Sequence, residues 1–280
     1  MTETPRLTDR AALIRNRQRA LAAPAMFLLD DAIDEVKERL IGVNRRFTTP
    51  AIVTGFPDLW RQAFPDAQIV PDDPLLTLNP GAHDLVIHAL CLHWADDPVG
   101  QLVQCRRALG PDGLFIAMMF GGQTLAELRA ALAEAEARLT GGLSPRVLPM
   151  AEIRDAGALL QRAGFALPVA DGYTRQVAYR SARHLMHDLR AMGEANALKT
   201  RRKTFAPRDL FTTVDHIYAA NFSAPDNRVT ASFDFIVLTG WAPDADQPQP
   251  LRPGSAAARL ADALNTTEVP LSDASRKPKG

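Results

Sequence analysis

His93 and Trp94 stand together in the stretch HALCLHW, and an imidazole beside an indole can do chemistry. The ring moves a proton or donates a hydrogen bond near neutral pH, while the indole walls a pocket. The same pair can instead serve the fold, capping the helix that follows and sealing the core. His88, earlier in that stretch, falls near the carboxyl end of an apolar run, the edge at which open α/β sheets bind ligands; a polar strand end is the plainer account. His184, His187 and Asp188 carry the residue types of a two-histidine, one-carboxylate iron site, which would suit an oxygenase. At helical spacing they lie opposite Leu185, Leu189 and Met192, so a solvated face accounts for them better, because such ligands must point inward. Ser144 and Thr124 have no histidine and acid at recognisable spacing, and nucleophilic catalysis has no support. Arg15, Arg17 and Arg19, and again Arg201, Arg202 and Lys203, form basic groups that read as solvated helix faces or as docking surfaces for an acidic partner.

These side chains sit in an electrically balanced chain: 32 basic and 32 acidic residues in 280 create no global field toward nucleic acid or an anionic membrane. A content of 46% hydrophobic and 23% charged residues is that of a globular protein with a sizeable core. Cys91 and Cys105 lie in an apolar strand pattern and a helical pattern without CxxC spacing, which suits a reducing, cytoplasmic setting. The opening MTETPRLTDRAALIRNRQRAL has no apolar run of signal-sequence length, and no later run approaches the roughly 20 residues of a spanning helix. The expectation is a chain neither secreted nor embedded.

The elements that must position these residues follow from periodicity. DLVIHAL (84–90) is a nearly uninterrupted apolar run, as for a strand covered on both faces of a parallel sheet. A helix over VGQLVQCRRAL, a GPDG turn (110–113) and the strand LFIAMMF (114–120) complete one right-handed crossover. Upstream, a basic helix over 8–22 precedes a second opened by Pro24, with Leu29, Ile33, Val36 and Leu40 on one face. AIVTG, PDLWRQAF and AQIV then make a compressed β-α-β, stopped by Pro71. Downstream, Thr124 and Glu127 have capping-box spacing before Leu125, Leu128, Leu132 and Leu139, and Gly141 and Gly142 stop that helix. Helices over 151–163, 181–198 and 207–221, a strand VADGYTRQVAY and a closing strand SFDFIVLTGW follow. A flexible tail comes last, with a short helix near 255–264. The fold predicted is a doubly wound, mostly parallel sheet with helices on both faces and a C-terminal antiparallel strand.

The order of strand, LHW, helix, L-x-P-D-G and strand over His83 to Glu136 resembles the class I S-adenosylmethionine-dependent methyltransferases. FGGQTLAELR, GGLSPRVLPM, LLQRAGFALP and LRAMGEANAL are similar to the methyltransferase-like assembly factors of respiratory complex I and their alphaproteobacterial relatives. The biotin-pathway methyltransferases are also similar. The resemblance runs over about 83–241 and implies N-terminal helices over 1–50, a Rossmann-like methyltransferase domain with a shortened front over 51–241, and a tail over 242–280.

It also implies S-adenosylmethionine as cofactor, received near Thr54, Gly55, Asp72, His88 and Leu90, with His93 and Trp94 as the catalytic pair. In the family the first strand ends in a turn of two or three glycines, and an acid ending the second strand holds the ribose hydroxyls. Here the turn reads TGFPDLW: only Gly55 remains, Phe56 and Pro57 stand where bare backbone is wanted, and Asp72 or Asp73 is the available acid. The stretch from Ile52 to Asp84 is too short for two full units and a third strand. The partner implied is a complex I subunit or precursor. The chain either modifies it, where the resembled mitochondrial group implies hydroxylation of an arginine rather than methyl transfer, or binds it as a non-catalytic assembly scaffold through the 121–205 region and its basic clusters, with peripheral docking through the basic N-terminal helix.

Overall fold

The computed structural model describes residues 6–247. The chain divides into a compact unit, Met1–Asp244, and a second unit, Ala245–Gly280. The short helix expected near 255–264 lies outside the described residues.

In chain order the elements are α1 (Arg10–Ala20), α2 (Phe27–Val43), β1 (Pro50–Thr54), α3 (Pro57–Ala63), β2 (Gln68–Pro71) and β3 (His83–Ala89). A 3₁₀ turn over Leu92–Trp94 leads to α4 (Pro98–Ala108), β4 (Leu109–Gly121), α5 (Ala126–Thr140), α6 (Ile153–Ala163) and β5 (Ala166–Tyr179). α7 (Ala182–Ala191), α8 (Leu210–Asn221), β6 (Ser223–Ala224) and β7 (Arg228–Trp241) close the fold. The seven strands form one sheet in the order β2-β1-β3-β4-β7-β5, with β6 paired to β7. β2, β1, β3 and β4 run parallel; β7 is antiparallel to both β4 and β5. This is the doubly wound sheet with a shortened front, since no strand is described between Pro71 and His83 and β2 is left as the edge.

Strand residues alternate between two cores, as the pleat requires. Ile52, Ile87 and Ile116 pack toward α2, α3, α5, α7 and α8; Val53, Val86 and Phe115 pack toward α4 and α6. The register places Thr54 beside Pro71 and Ala89, and Ala89 beside Met118, so the parallel strands end in one row. Whatever follows those residues gathers at a single edge of the sheet.

Three local expectations are corrected. Thr124 and Glu127 do not form a capping box: Leu125 takes the cap position with φ 56° and no side-chain cap. The Thr124 hydroxyl accepts from the Asp234 N–H at 2.9 Å, and Glu127 accepts from the Ser232 hydroxyl at 2.5 Å. Both side chains are engaged by β7, a tertiary demand that local spacing does not reveal. Gly110–Gly113 is a bulge inside β4 rather than a turn before it, because pairing passes from His83–Leu109 to Leu85–Leu114 with Asp112 at φ 53°. α7 ends at Ala191, well before residue 198, because Gly193 turns the chain at φ 77°.

Candidate functional site

At the row of strand ends, β1 leads into α3 through Thr54, Gly55 and Phe56, where the Phe56 N–H donates to Thr54 Oγ1 at 3.1 Å and Pro57 starts the helix. A cleft of about 630 Å³ lies there, lined by Thr54, Gly55, Phe56 and Asp72 from the sheet edge and by Arg10 and Arg17 from α1. The basic first helix is therefore not a solvated face throughout. Arg15 and Arg19 are exposed, but Arg17 is 6% exposed and points into the sheet edge.

Arg17 Nη1 donates to Asp72 Oδ1 at 2.7 Å, and Arg10 reaches Asp72 Oδ2 at 3.2 Å and Asp73 at 3.2 Å. A Cβ added to Gly55 would collide with the Arg17 guanidinium, so the one remaining glycine of the turn makes room for this side chain. Burial works against the Arg17 charge, but the Asp72 carboxylate outweighs it and holds the guanidinium above its ordinary value. Burial likewise raises Asp72, and Arg17 and Arg10 together pull it down to about 2. S-adenosylmethionine does not fit these residues as they stand: Asp72, the acid that the resemblance assigns to the ribose, is engaged by two guanidinium groups, and the Gly55 backbone is covered by Arg17.

His88 and Leu90 do not line the cleft, contrary to expectation. His88 is fully buried; its Nε2 meets Gln101 Oε1 at 2.6 Å and its Nδ1 faces Cys91 Sγ at 3.5 Å. Because Gln101 Nε2 donates to the Asp73 carbonyl at 2.9 Å, its Oε1 accepts from a His88 Nε2–H. His88 thus braces the chain after β2 through Gln101. Burial lowers its pKa and keeps the ring neutral. Leu90 sits in the core with φ 49°, a strained bend that turns β3 toward Leu92–Trp94. The same burial pushes the Cys91 and Cys105 thiols up, and neither is poised to react.

His93 and Trp94 stand together but not as a free base with a wall. His93 Nδ1 accepts from the Phe120 N–H at 3.4 Å, and its Nε2 lies 3.3 Å from Glu194 Oε2, so both nitrogens are occupied. Trp94 Nε1 donates to the same Glu194 oxygen at 2.7 Å. Beyond them opens a cavity of about 210 Å³ with Phe120, Leu128, Leu189 and Phe233 as apolar walls and Glu194 and Arg146 as charged ones. Arg146 is already paired with Glu136 at 2.6 Å, and Arg190 sits exposed at the rim. Glu194, with 10% of its side chain exposed, forms no ion pair with an arginine among the described residues, and its charge adds to the field that raises Arg17.

Sequence reasoning missed Glu194, Gln101 and Arg10. Glu194 lies within LRAMGEANAL, and the Gly193 before it was the usable signal: a Cβ there would strike Phe56 and Arg17, so that residue must be bare. His184 and His187 are exposed, with His184 3.8 Å from Asp188 and edge-on to Tyr179. Arg201, assigned to a basic docking group, instead pairs with Asp9 at 2.8 Å, while Arg202 and Lys203 are exposed.

No family model matches the chain. It is 34% identical over 220 residues to the mitochondrial arginine-hydroxylase NDUFAF5 of Danio rerio, covering 79% of this chain and 68% of that protein. It is also 34% identical over 182 residues to the malonyl-[acyl-carrier protein] O-methyltransferase of Xylella fastidiosa, covering 65% of this chain and 59% of the enzyme. Among solved structures, a Bacillus halodurans protein assigned as a methyltransferase covers 71% of this chain at 11% identity, 93% of its own length and a TM-score of 0.45. The expected cytoplasmic location is corrected by these findings, because the arginine-hydroxylase relatives are mitochondrial proteins. Two unpaired thiols fit a reducing surrounding and do not choose among reducing compartments.

Proposed function

We propose, from the premise that the chain belongs to the family of the NDUFAF5 arginine-hydroxylases, that it is a methyltransferase-fold protein that grips an arginine-bearing segment of a respiratory complex I subunit. The observation that carries this reading is Glu194. Its carboxylate is nine-tenths buried at an apolar cavity, and both hydrogen bonds it accepts fall on Oε2. A guanidinium matches such a carboxylate in charge and in fork geometry, and its aliphatic stem matches the walls formed by Phe120, Leu128 and Phe233.

In this reading the LHW motif is positioning machinery. The Phe120 N–H holds His93, whose Nε2–H and the Trp94 indole together hold Glu194, so its rotamer is fixed before a ligand arrives. Trp94 also walls the cavity. Methyl transfer is not part of the reading, since Arg17 engages the Asp72 carboxylate and covers Gly55 at the cleft in which the cofactor would lie.

The test is titration of the full chain with a peptide from a complex I subunit carrying either arginine or citrulline, for wild type and Glu194→Gln. Loss of a charge-assisted hydrogen bond, about 1.5–3 kcal/mol, predicts at least about tenfold weaker binding for the citrulline peptide and for the variant. Equal affinity for the two peptides would remove Glu194 from the function.

A further inference from the structure

We infer that Arg17 is a tethered occupant of the cofactor cleft: α1 fills, with its own guanidinium, the ground between Gly55 and Asp72 on which a methyltransferase fold receives its small-molecule ligand. This does not depend on the reading of Glu194. Three observations carry it. Gly55 accommodates Arg17 so closely that any Cβ there would collide with the guanidinium, which is how bare backbone ordinarily serves a ligand. Asp72, 5% exposed, spends both carboxylate oxygens on α1: Oδ1 on Arg17 at 2.7 Å and Oδ2 on Arg10 at 3.2 Å. The Arg17 guanidinium also lies 6.0 Å from the Phe56 ring centroid, so the residue that interrupts the glycine turn forms a wall for the arginine instead.

α1 is anchored as an occupant would need to be. Its lead-in pairs with the loop after α7 through Asp9 N–H to Ala197 O at 2.8 Å and Lys199 N–H to Leu7 O at 2.9 Å. Thr8 Oγ1 donates to Trp94 O at 2.8 Å, Asn16 Nδ2 to Ala195 O at 3.0 Å, and Arg201 pairs with Asp9 at 2.8 Å. The anchors on the Ala195–Leu198 loop lie next to Glu194 in the chain, so lifting Arg17 off Asp72 works against the segment that carries the other cavity's carboxylate. The ground between Gly55 and Asp72 is consequently taken at rest, beside open space of about 630 Å³, and a ligand can reach the Gly55 backbone and the Asp72 carboxylate only as Arg17 leaves.

The experiment is isothermal titration of the full chain with S-adenosylhomocysteine, comparing wild type with Arg17→Ala and with Arg17→Met, which keeps an apolar stem against Phe56. Wild type is expected to bind with a dissociation constant above ~100 μM, and either folded variant at least about tenfold more tightly. Hydrogen exchange on wild type alone gives an independent readout at millimolar ligand. Unchanged exchange, or protection of 54–58 with loss of protection in 10–20, supports the inference. Low-micromolar binding by wild type, no gain in a variant with a native circular-dichroism spectrum, or joint protection of both segments overturns it.

Discussion

Arg17 shows how far a residue's role departs from what its type suggests. Three arginines at alternate positions of α1 read as one basic group, yet two are exposed and the third is buried against Asp72. Breaking a buried ion pair strands the remaining charge at a cost of about 3–5 kcal/mol. Arg10 still partners Asp72, so Arg17→Gln should destabilise the protein by roughly 3 kcal/mol in urea unfolding. Arg15→Gln and Arg19→Gln should each stay within about 0.5 kcal/mol. Equal effects at all three positions would contradict the burial of Arg17. Gly55 and Asp72, to which the resemblance pointed, line one cleft at the sheet edge, a proximity that could be expected because strand ends and turn residues are local signals. Arg10 and Arg17 were out of reach: their contacts cross 62 and 55 residues of chain to Asp72, and no periodicity marks an arginine that points inward. His88 failed for the opposite reason. Its placement on the row of strand ends was legible, but which face of the strand its ring took, and that Gln101 waited there, was not.

At the scale of elements, the sheet was the legible part. The runs 84–90 and 114–120 are apolar almost throughout because both faces are covered, and they are the central strands β3 and β4. Helix ends were read less well, since Thr124, Glu127 and the stop of α7 answer to tertiary neighbours. The loop after α7 illustrates this. Gly193, at φ 77°, lets the chain pass over Phe56 and Arg17, so that Glu194 reaches Trp94. Gly193→Ala adds both backbone strain and a steric conflict, about 1–3 kcal/mol in sum. The expected outcome is a lowered Tm together with quenched or shifted Trp94 fluorescence, because the loop must move to relieve the clash. A Tm loss with unchanged tryptophan emission would place the strain elsewhere than in the Glu194 loop.

Over the whole molecule, charge is balanced, with 32 basic and 32 acidic residues, so no long-range repulsion builds up near neutral pH. The pH dependence of stability is then set by the few groups whose environment the fold changes most. His88 is held neutral by burial, with its folded pKa below the ordinary 6.5. Below pH 6.5 the unfolded chain therefore binds a proton that the folded chain refuses, and stability begins to fall there as pH drops. Asp72 acts lower: its folded pKa of about 2 lies below the ordinary 3.8, so its stabilisation is complete above pH 3.8 and is lost as pH falls toward 2. The difference corresponds to about 2 kcal/mol. Asp84 and Glu136, both held below their ordinary values against the effect of burial by hydrogen bonds, from Thr48 and Thr49 and from Arg146 and Ser144 respectively, share this acid limb. Urea unfolding between pH 3 and 8 should thus show a first decline below about 6.5, then a steeper one below about 4. His88→Gln should flatten the first and leave the second, because glutamine can still hydrogen-bond Gln101 but cannot take up a proton. A first decline that survives His88→Gln unchanged would assign it to other histidines, and the buried brace between β3 and the Asp72–Asp73 segment would lose its place in the pH response.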